Sequence, residues 1–125
     1  MKSFHFIIFL LIIFSCSKEK QNISECTEIT TPFKTYSEAK NTVQSIDFKY
    51  TDEVDTSKSS WIRGAQYYSC EGETGYLVYQ TDKKEYIHQQ VPVEVWEEFK
   101  NAESFGSFYN ENLKHKYRVV PQDAE

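Results

Sequence analysis

The reactive side chains of these 125 residues are three cysteines and three histidines, set among nine tyrosines. A thiol acts as a nucleophile once a neighbouring base draws off its proton. Cys70 is the candidate, with His88 or His115 as the base, but nothing in the spacing carries either imidazole to it. Cys26 supplies the competing chemistry. In an oxidising compartment two spare thiols pair, and a disulfide between Cys26 and Cys70 accounts for both residues without catalysis. Closing a loop of about 45 residues would contribute ~4 kcal/mol at most. The bridge needs the two Cα atoms within about 7 Å; otherwise Cys70 stays a free thiol. A metal centre wants His, Cys or carboxylates that converge at recognisable spacing. His88 and His115 have no partner at i+3 or i+4, and no CxxC pair is present. No catalytic residue, metal or cofactor is therefore assigned.

Cys16 stands in a different setting. Lys2 and the amino terminus are positive, residues 6–14 form an unbroken apolar run, and the small Ser15 precedes Cys16. The run is too short for a stable spanning helix, which needs roughly 20 apolar residues, and it has the shape of a secretion signal. Ile13-Phe14-Ser15-Cys16 resembles the lipobox of bacterial lipoproteins, in which the cysteine thiol is acylated and becomes the new amino terminus; Phe14 stands where a smaller residue is usual. The resemblance implies lipidation at Cys16, anchoring to a membrane of a bacterial cell envelope, and a domain outside the cytoplasm. An ordinary cleaved signal with an incidental cysteine is the alternative. Removing the first 15 of the 125 residues leaves 110, and loss of Lys2 moves the net charge from −5 to −6. That length suits one small domain with one core. The overall field of an acidic chain does not draw it to nucleic acid or anionic lipid.

An α+β fold must position these residues. Residues 16–34 are polar and without period, and read as the lipidated cysteine and a tether. Thr35-Tyr36-Ser37-Glu38 is a capping-box pattern. Tyr36, Ala39 and Val43 fall at helical spacing and predict an accessory helix over 36–45; Phe48 and Tyr50 alternate with Asp47 and Lys49 as a short extended piece, and a connector runs to 58. Strands over 61–70, 76–81, 85–91 and 117–120 predict a small antiparallel sheet of about four strands within a domain over 59–122. Residues 71–75 form a hairpin turn whose two glycines supply positive φ. Alternation in the third strand puts Tyr86 and His88 on one face, Ile87 and Val91 on the other. Pro92 opens a helix over 92–102, and its stripe of Val95, Trp96, Phe99 and Ala102 covers the sheet. Gly106 permits a reversal into a second short amphipathic turn, with Phe108, Tyr109 and Leu113 inward.

The segments SSWIRGAQYY, GYLVYQT, EYIHQQVPVEVWEEF and SFGSFYN, followed by Lys116-Tyr117, together resemble the KTSC domain, a module named for its occurrence at the C-terminus of some lysyl-tRNA synthetases. The resemblance covers residues 59–120, about half the chain. The family tends to carry Tyr-x-Tyr where Tyr86-Ile87-His88 stands. It brings no assigned catalytic residues, and the synthetase context suggests RNA binding. The charges speak against that: residues 60–122 hold seven Lys or Arg and nine Asp or Glu, and the basic residues cluster only at Lys114-His115-Lys116-Tyr117-Arg118. Phosphate backbones demand a broad positive surface. The expectation is a lipid-anchored, non-enzymatic module that binds an envelope protein or ligand, with Tyr86, His88, Lys114, Lys116 and Arg118 as its candidate surface. RNA binding is the alternative, and a thiol-dependent enzyme a weaker one. The rings Trp61, Tyr67, Tyr68, Tyr76, Tyr79 and Tyr86 could form a sugar- or peptide-binding face, but on alternating strands about half must point into the core; Trp61 and Trp96 are expected to be buried.

Overall fold

The computed structural model describes residues 25–124; the expected leader, Cys16 and the first part of the expected tether lie outside them. Helix α1 (Tyr36–Ser45) precedes a four-stranded antiparallel sheet of β1 (Tyr50–Val54), β2 (Gly64–Ser69), β3 (Thr74–Gln80) and β4 (Glu85–Pro92), ordered in space as in sequence. Helices α2 (Val93–Lys100) and α3 (Phe105–Asn112) follow. The fold is α+β with four strands, but one strand differs from expectation. β1 falls in the expected connector and pairs with β2 from Tyr50↔Ser69 to Val54↔Ala65. Residues 117–120, expected as the last strand, make one bridge only, His88↔Val119. Its hydrogen bonds run from Gln89 N–H to Arg118 O and from Val120 N–H to Ile87 O. Pro121 has no N–H with which to extend the ladder.

A bulge in β4 changes the expected faces. Leu77 pairs with His88 and Gly75 with Val91, so Tyr76 alone opposes Gln89 and Gln90, and Gln90 takes φ 53. One extra residue inverts the alternation beyond it. Ile87 therefore packs below the sheet and Val91 above it, instead of sharing a face.

Above the sheet, Ile62, Tyr67, Leu77, Tyr79 and Val91 pack against Trp96 and Phe99 of α2 and Phe105, Tyr109 and Leu113 near α3. Trp96 and Phe99 are buried, and Trp96 stacks on Tyr67 with centroids 5.5 Å apart. Pro92 serves as the N-cap of α2, so the helix begins one residue later than expected, at Val93, and ends two residues earlier, at Lys100. Gly106 makes no reversal: it lies in the first turn of α3, where a Cβ would collide with Trp61 Nε1. Trp61 itself is half-buried. Of the two hairpin glycines, only Gly72 takes positive φ, at 76°.

Below the sheet, Phe33, Ala39, Tyr76, Val78, Ile87 and Val120 form a second cluster. The expected tether is docked well before residue 34. Ile29 N–H donates to the Tyr76 hydroxyl (3.0 Å), Phe33 N–H to Gln89 Oε1 (3.0 Å), and Gln89 Nε2 to Thr31 O (3.2 Å). The capping pattern forms at α1: Thr35 Oγ1 accepts from Glu38 N–H at 3.2 Å, while Glu38 Oε2 reaches back to Lys34 N–H at 2.9 Å. α1 then packs against β4. Among the described residues no helix is long and apolar enough to cross a membrane.

Candidate functional site

Because α1 lies toward β4, an open cleft of about 410 Å³ remains between it and the lower sheet face. Val43 and Ile46 form one wall; Val78 and Ile87 supply an apolar floor; Phe48, Thr51, Gln66 and Tyr68 close the far side. The size lies within the range of ligand sites, which combine apolar lining with a few placed polar groups. Alternation along β2 and β3 turns Gln66, Tyr68 and Val78 downward, opposite Ala65, Tyr67, Leu77 and Tyr79, which pack above. Phe48 leans on Tyr68, with ring centroids 5.4 Å apart.

One end of the cleft carries a hydrogen-bonded group of side chains. The Tyr36 hydroxyl donates to Glu85 Oε1 at 2.6 Å, and Lys40 Nζ lies 3.7 Å from the same oxygen. Gln80 Nε2 donates to Glu85 Oε2 (2.9 Å) and to Gln66 Oε1 (2.8 Å), and Gln66 Nε2 returns a bond to Gln80 Oε1 (3.1 Å). Burial would push the Glu85 carboxyl up, but the donors Tyr36, Gln80 and Lys40 hold it below its ordinary value. Glu85 is therefore ionised at neutral pH. The Tyr68 hydroxyl is pushed up by burial and by the carboxylates of Glu85 and Glu53. Tyr68 thus stands as a neutral ring and hydroxyl between two negative charges.

β1 is the sheet's free edge on this side, and it is protected. Asp52 Oδ1 accepts its neighbour's Glu53 N–H (2.9 Å), while Oδ2 accepts from Trp96 Nε1 (2.8 Å) and Lys100 Nζ (2.6 Å). A carboxylate that occupies an edge donor discourages a foreign strand from pairing there. Lys100 and Trp96 hold the Asp52 carboxyl below its usual value.

The residues singled out from sequence divide differently. Cys26 and Cys70 are joined by a disulfide, with Cα atoms 5.3 Å apart. His88, expected on a surface with Tyr86, is fully buried and leaves that set. Its Nδ1 lies 3.1 Å from Tyr117 O, which only accepts, so Nδ1 carries the proton and Nε2 accepts from the Tyr109 hydroxyl at 3.3 Å. Tyr109 in turn accepts from the Tyr79 hydroxyl at 2.7 Å. Every polar atom of the imidazole is satisfied, and burial drives its pKa down in spite of the Tyr117 bond. Tyr86 is half-buried and stacks on Tyr79, with centroids 5.0 Å apart. Lys114, Lys116 and Arg118 are exposed on the C-terminal segment. Among the described residues no three His, Cys, Asp or Glu side chains come together to hold a metal. Of the cleft residues, Tyr68 was among the rings considered for a binding face, whereas Lys40, Phe48, Gln66 and Glu85, with Gln80 beside them, were not singled out as a site beforehand. Their signal was faint: two glutamines and a glutamate at strand positions where a core face would carry aliphatics.

No curated protein and no solved structure matches the chain. The KTSC domain model matches residues 58–117, so the match begins after β1 and ends at the residue whose carbonyl holds His88. The chain therefore carries a KTSC domain at residues 58–117, to which α1 and β1 add a cleft.

Proposed function

We propose that the protein is a lipid-anchored lipoprotein of the bacterial envelope, a non-enzymatic recognition module that binds its partner in the cleft between α1 and the sheet. The cleft carries the reading: an apolar floor beside an ordered set of charged and amide side chains can orient a ligand. The capped α1 and the β2–β3 backbone hold these residues on regular elements. The leader and the cysteine that follows Ser15 support the anchor. Cys70, tied to Cys26, offers no thiolate, and His88 is enclosed; both fit a binding role better than catalysis.

Two measurements test the two halves. Wild-type protein should leave membranes with detergent and not with salt, and Cys16→Ser should appear in the soluble fraction. A Cys16→Ser protein that stays with the membrane would remove the anchor. A photo-crosslinking residue at Gln44, on the rim of the cleft, should give a discrete adduct in intact cells. The same residue at Lys116 should not, and the reverse pattern would move the site to the C-terminal segment.

A further inference from the structure

The cleft does not end at β2. A second, shallower hollow of about 440 Å³ lies over Thr51, Asp52, Glu53, Gln66 and Tyr68, and shares Thr51, Gln66 and Tyr68 with the first. The two together make an elongated groove: the first hollow has the Val78 and Ile87 floor with Asp47 and Glu85 in its lining, and the second carries Asp52 and Glu53. An extended chain places side chains i and i+2 on one side at about 6.8 Å, a spacing suited to neighbouring hollows.

Charge selects among such chains. Among the described residues Lys40 is the one cation lining the groove, and it is committed to Glu85. Asp52 is neutralised by Lys100. Asp47 on the rim of the first hollow and Glu53 in the second are exposed and have no ion pair among the described residues. The Tyr68 ring lines both hollows, and an aromatic ring favours a cation near its face. An anionic segment would meet Asp47, Glu53 and Glu85 together. A second copy of this groove would do the same, which argues against self-association here. The Asp52–Glu53 bond discourages strand addition at this edge, so recognition falls chiefly to side chains.

Taking the cleft as the binding site, we infer that the groove accepts an extended segment of a partner protein. The segment seats a large apolar side chain on Val78 and Ile87 and, two residues further along, a lysine or arginine against Glu53 and Tyr68.

The test is a titration of the full-length protein in nonionic detergent, followed by amide shifts in nuclear magnetic resonance. The probes are the peptides acetyl-Phe-Ser-Arg-amide and acetyl-Phe-Ser-Glu-amide. The arginine peptide should shift Val43, Thr51, Gln66 and Tyr68 saturably, and the glutamate peptide should not. Glu53→Lys, an exposed change on an edge strand, should weaken the arginine peptide at least tenfold, with the rest of the spectrum unmoved. Equal binding of both peptides, indifference to Glu53→Lys, or no saturable shift with either would overturn the proposed ligand. A cross-link at Gln44 in cells combined with any of these would leave the cleft as a site and reject only its preference for a basic segment.

Discussion

Above the sheet, α2, α3 and the Trp61 segment close over Tyr67, Leu77 and Tyr79, and a hydrogen-bonded chain from Tyr79 through Tyr109 to His88 is sealed inside. Below it, one ten-residue helix and the segment from Cys26 to Phe33 cover Tyr76 and Ile87, while Gln66 and Tyr68 line an open cleft. Both faces carry aromatic and aliphatic side chains, so composition does not separate them. Coverage does. Two helices span the upper face, whereas α1 packs on β4 and, among the described residues, the β1–β2 half has no roof. The lower face trades burial for an accessible surface, and the disulfide with the Gln89 bonds offsets some of that loss by fastening the segment that remains.

Core truncation should break the symmetry between the faces most visibly. Phe99→Ala removes a ring packed on Trp96, Phe105 and Phe108 and should cost ~3–5 kcal/mol. Phe48→Ala, on the half-buried side of the cleft, should cost only ~1–2 kcal/mol. Urea unfolding of both variants checks the ratio, and equal losses would mean the lower face is as closely packed as the upper.

Next in size is the disulfide, which spans a sequence separation of 44. Replacing Cys26 and Cys70 together by serine should lower stability by ~2–4 kcal/mol, chiefly by releasing the unfolded chain. Hydrogen exchange at Ile29 and Phe33 should rise in that variant, while exchange around Tyr109 should change only by the global loss.

A smaller effect distinguishes the sealed network. His88 has a depressed pKa in the folded state, through burial first, and an ordinary value near 6.5 when unfolded. Below about pH 6.5 the unfolded chain takes up a proton that the folded chain refuses, so stability falls with falling pH until the folded value is passed. One proton contributes at most ~1.4 kcal/mol per pH unit. The drop in urea midpoint between pH 7 and about pH 5.5 should be smaller in His88→Gln than in the wild type. Identical drops would show that His88 titrates as freely as in the unfolded chain.

The smallest effect belongs to the C-terminal strip. Replacing Lys114, Lys116 and Arg118 by alanine should leave stability within ~0.5 kcal/mol per site, and leave the adduct at Gln44 unchanged. Loss of that adduct would tie the exposed basic residues to the site after all.

Much of the frame was legible in the residues because it is local. The Thr35–Glu38 cap, the Trp96–Phe99 stripe and the Gly72 turn each follow from the chemistry of a few neighbours. β1 was legible only at Tyr50, where the expected extended piece ends; the rest of its YTDEV is acidic and exposed on one edge, with no apolar alternation to mark it. Its pairing with β2 and the Asp52–Trp96 bond are what make it a strand. The strand expected at 117–120 failed for the converse reason: suitable side chains met a bulged partner and a proline. The binding residues first picked were those with conspicuous chemistry. His88 was the wrong one, since a histidine on a strand reads the same in sequence whether it faces water or two tyrosines.

The chain by itself determined its fold class and its two amphipathic helices, because periodicity and caps are properties of consecutive residues. Only the tertiary structure decided which side of each strand is buried past Gln90, since one bulged residue reverses the alternation. It also decided that Lys40, Phe48, Tyr68 and Glu85 share a cleft. Those residues come from a helix, a loop and two strands that do not pair with one another. What joins them is the placement of α1 across the sheet, and helix placement depends on the packing of Ala39 and Phe33 beneath Tyr76 and Val78, which no local pattern encodes.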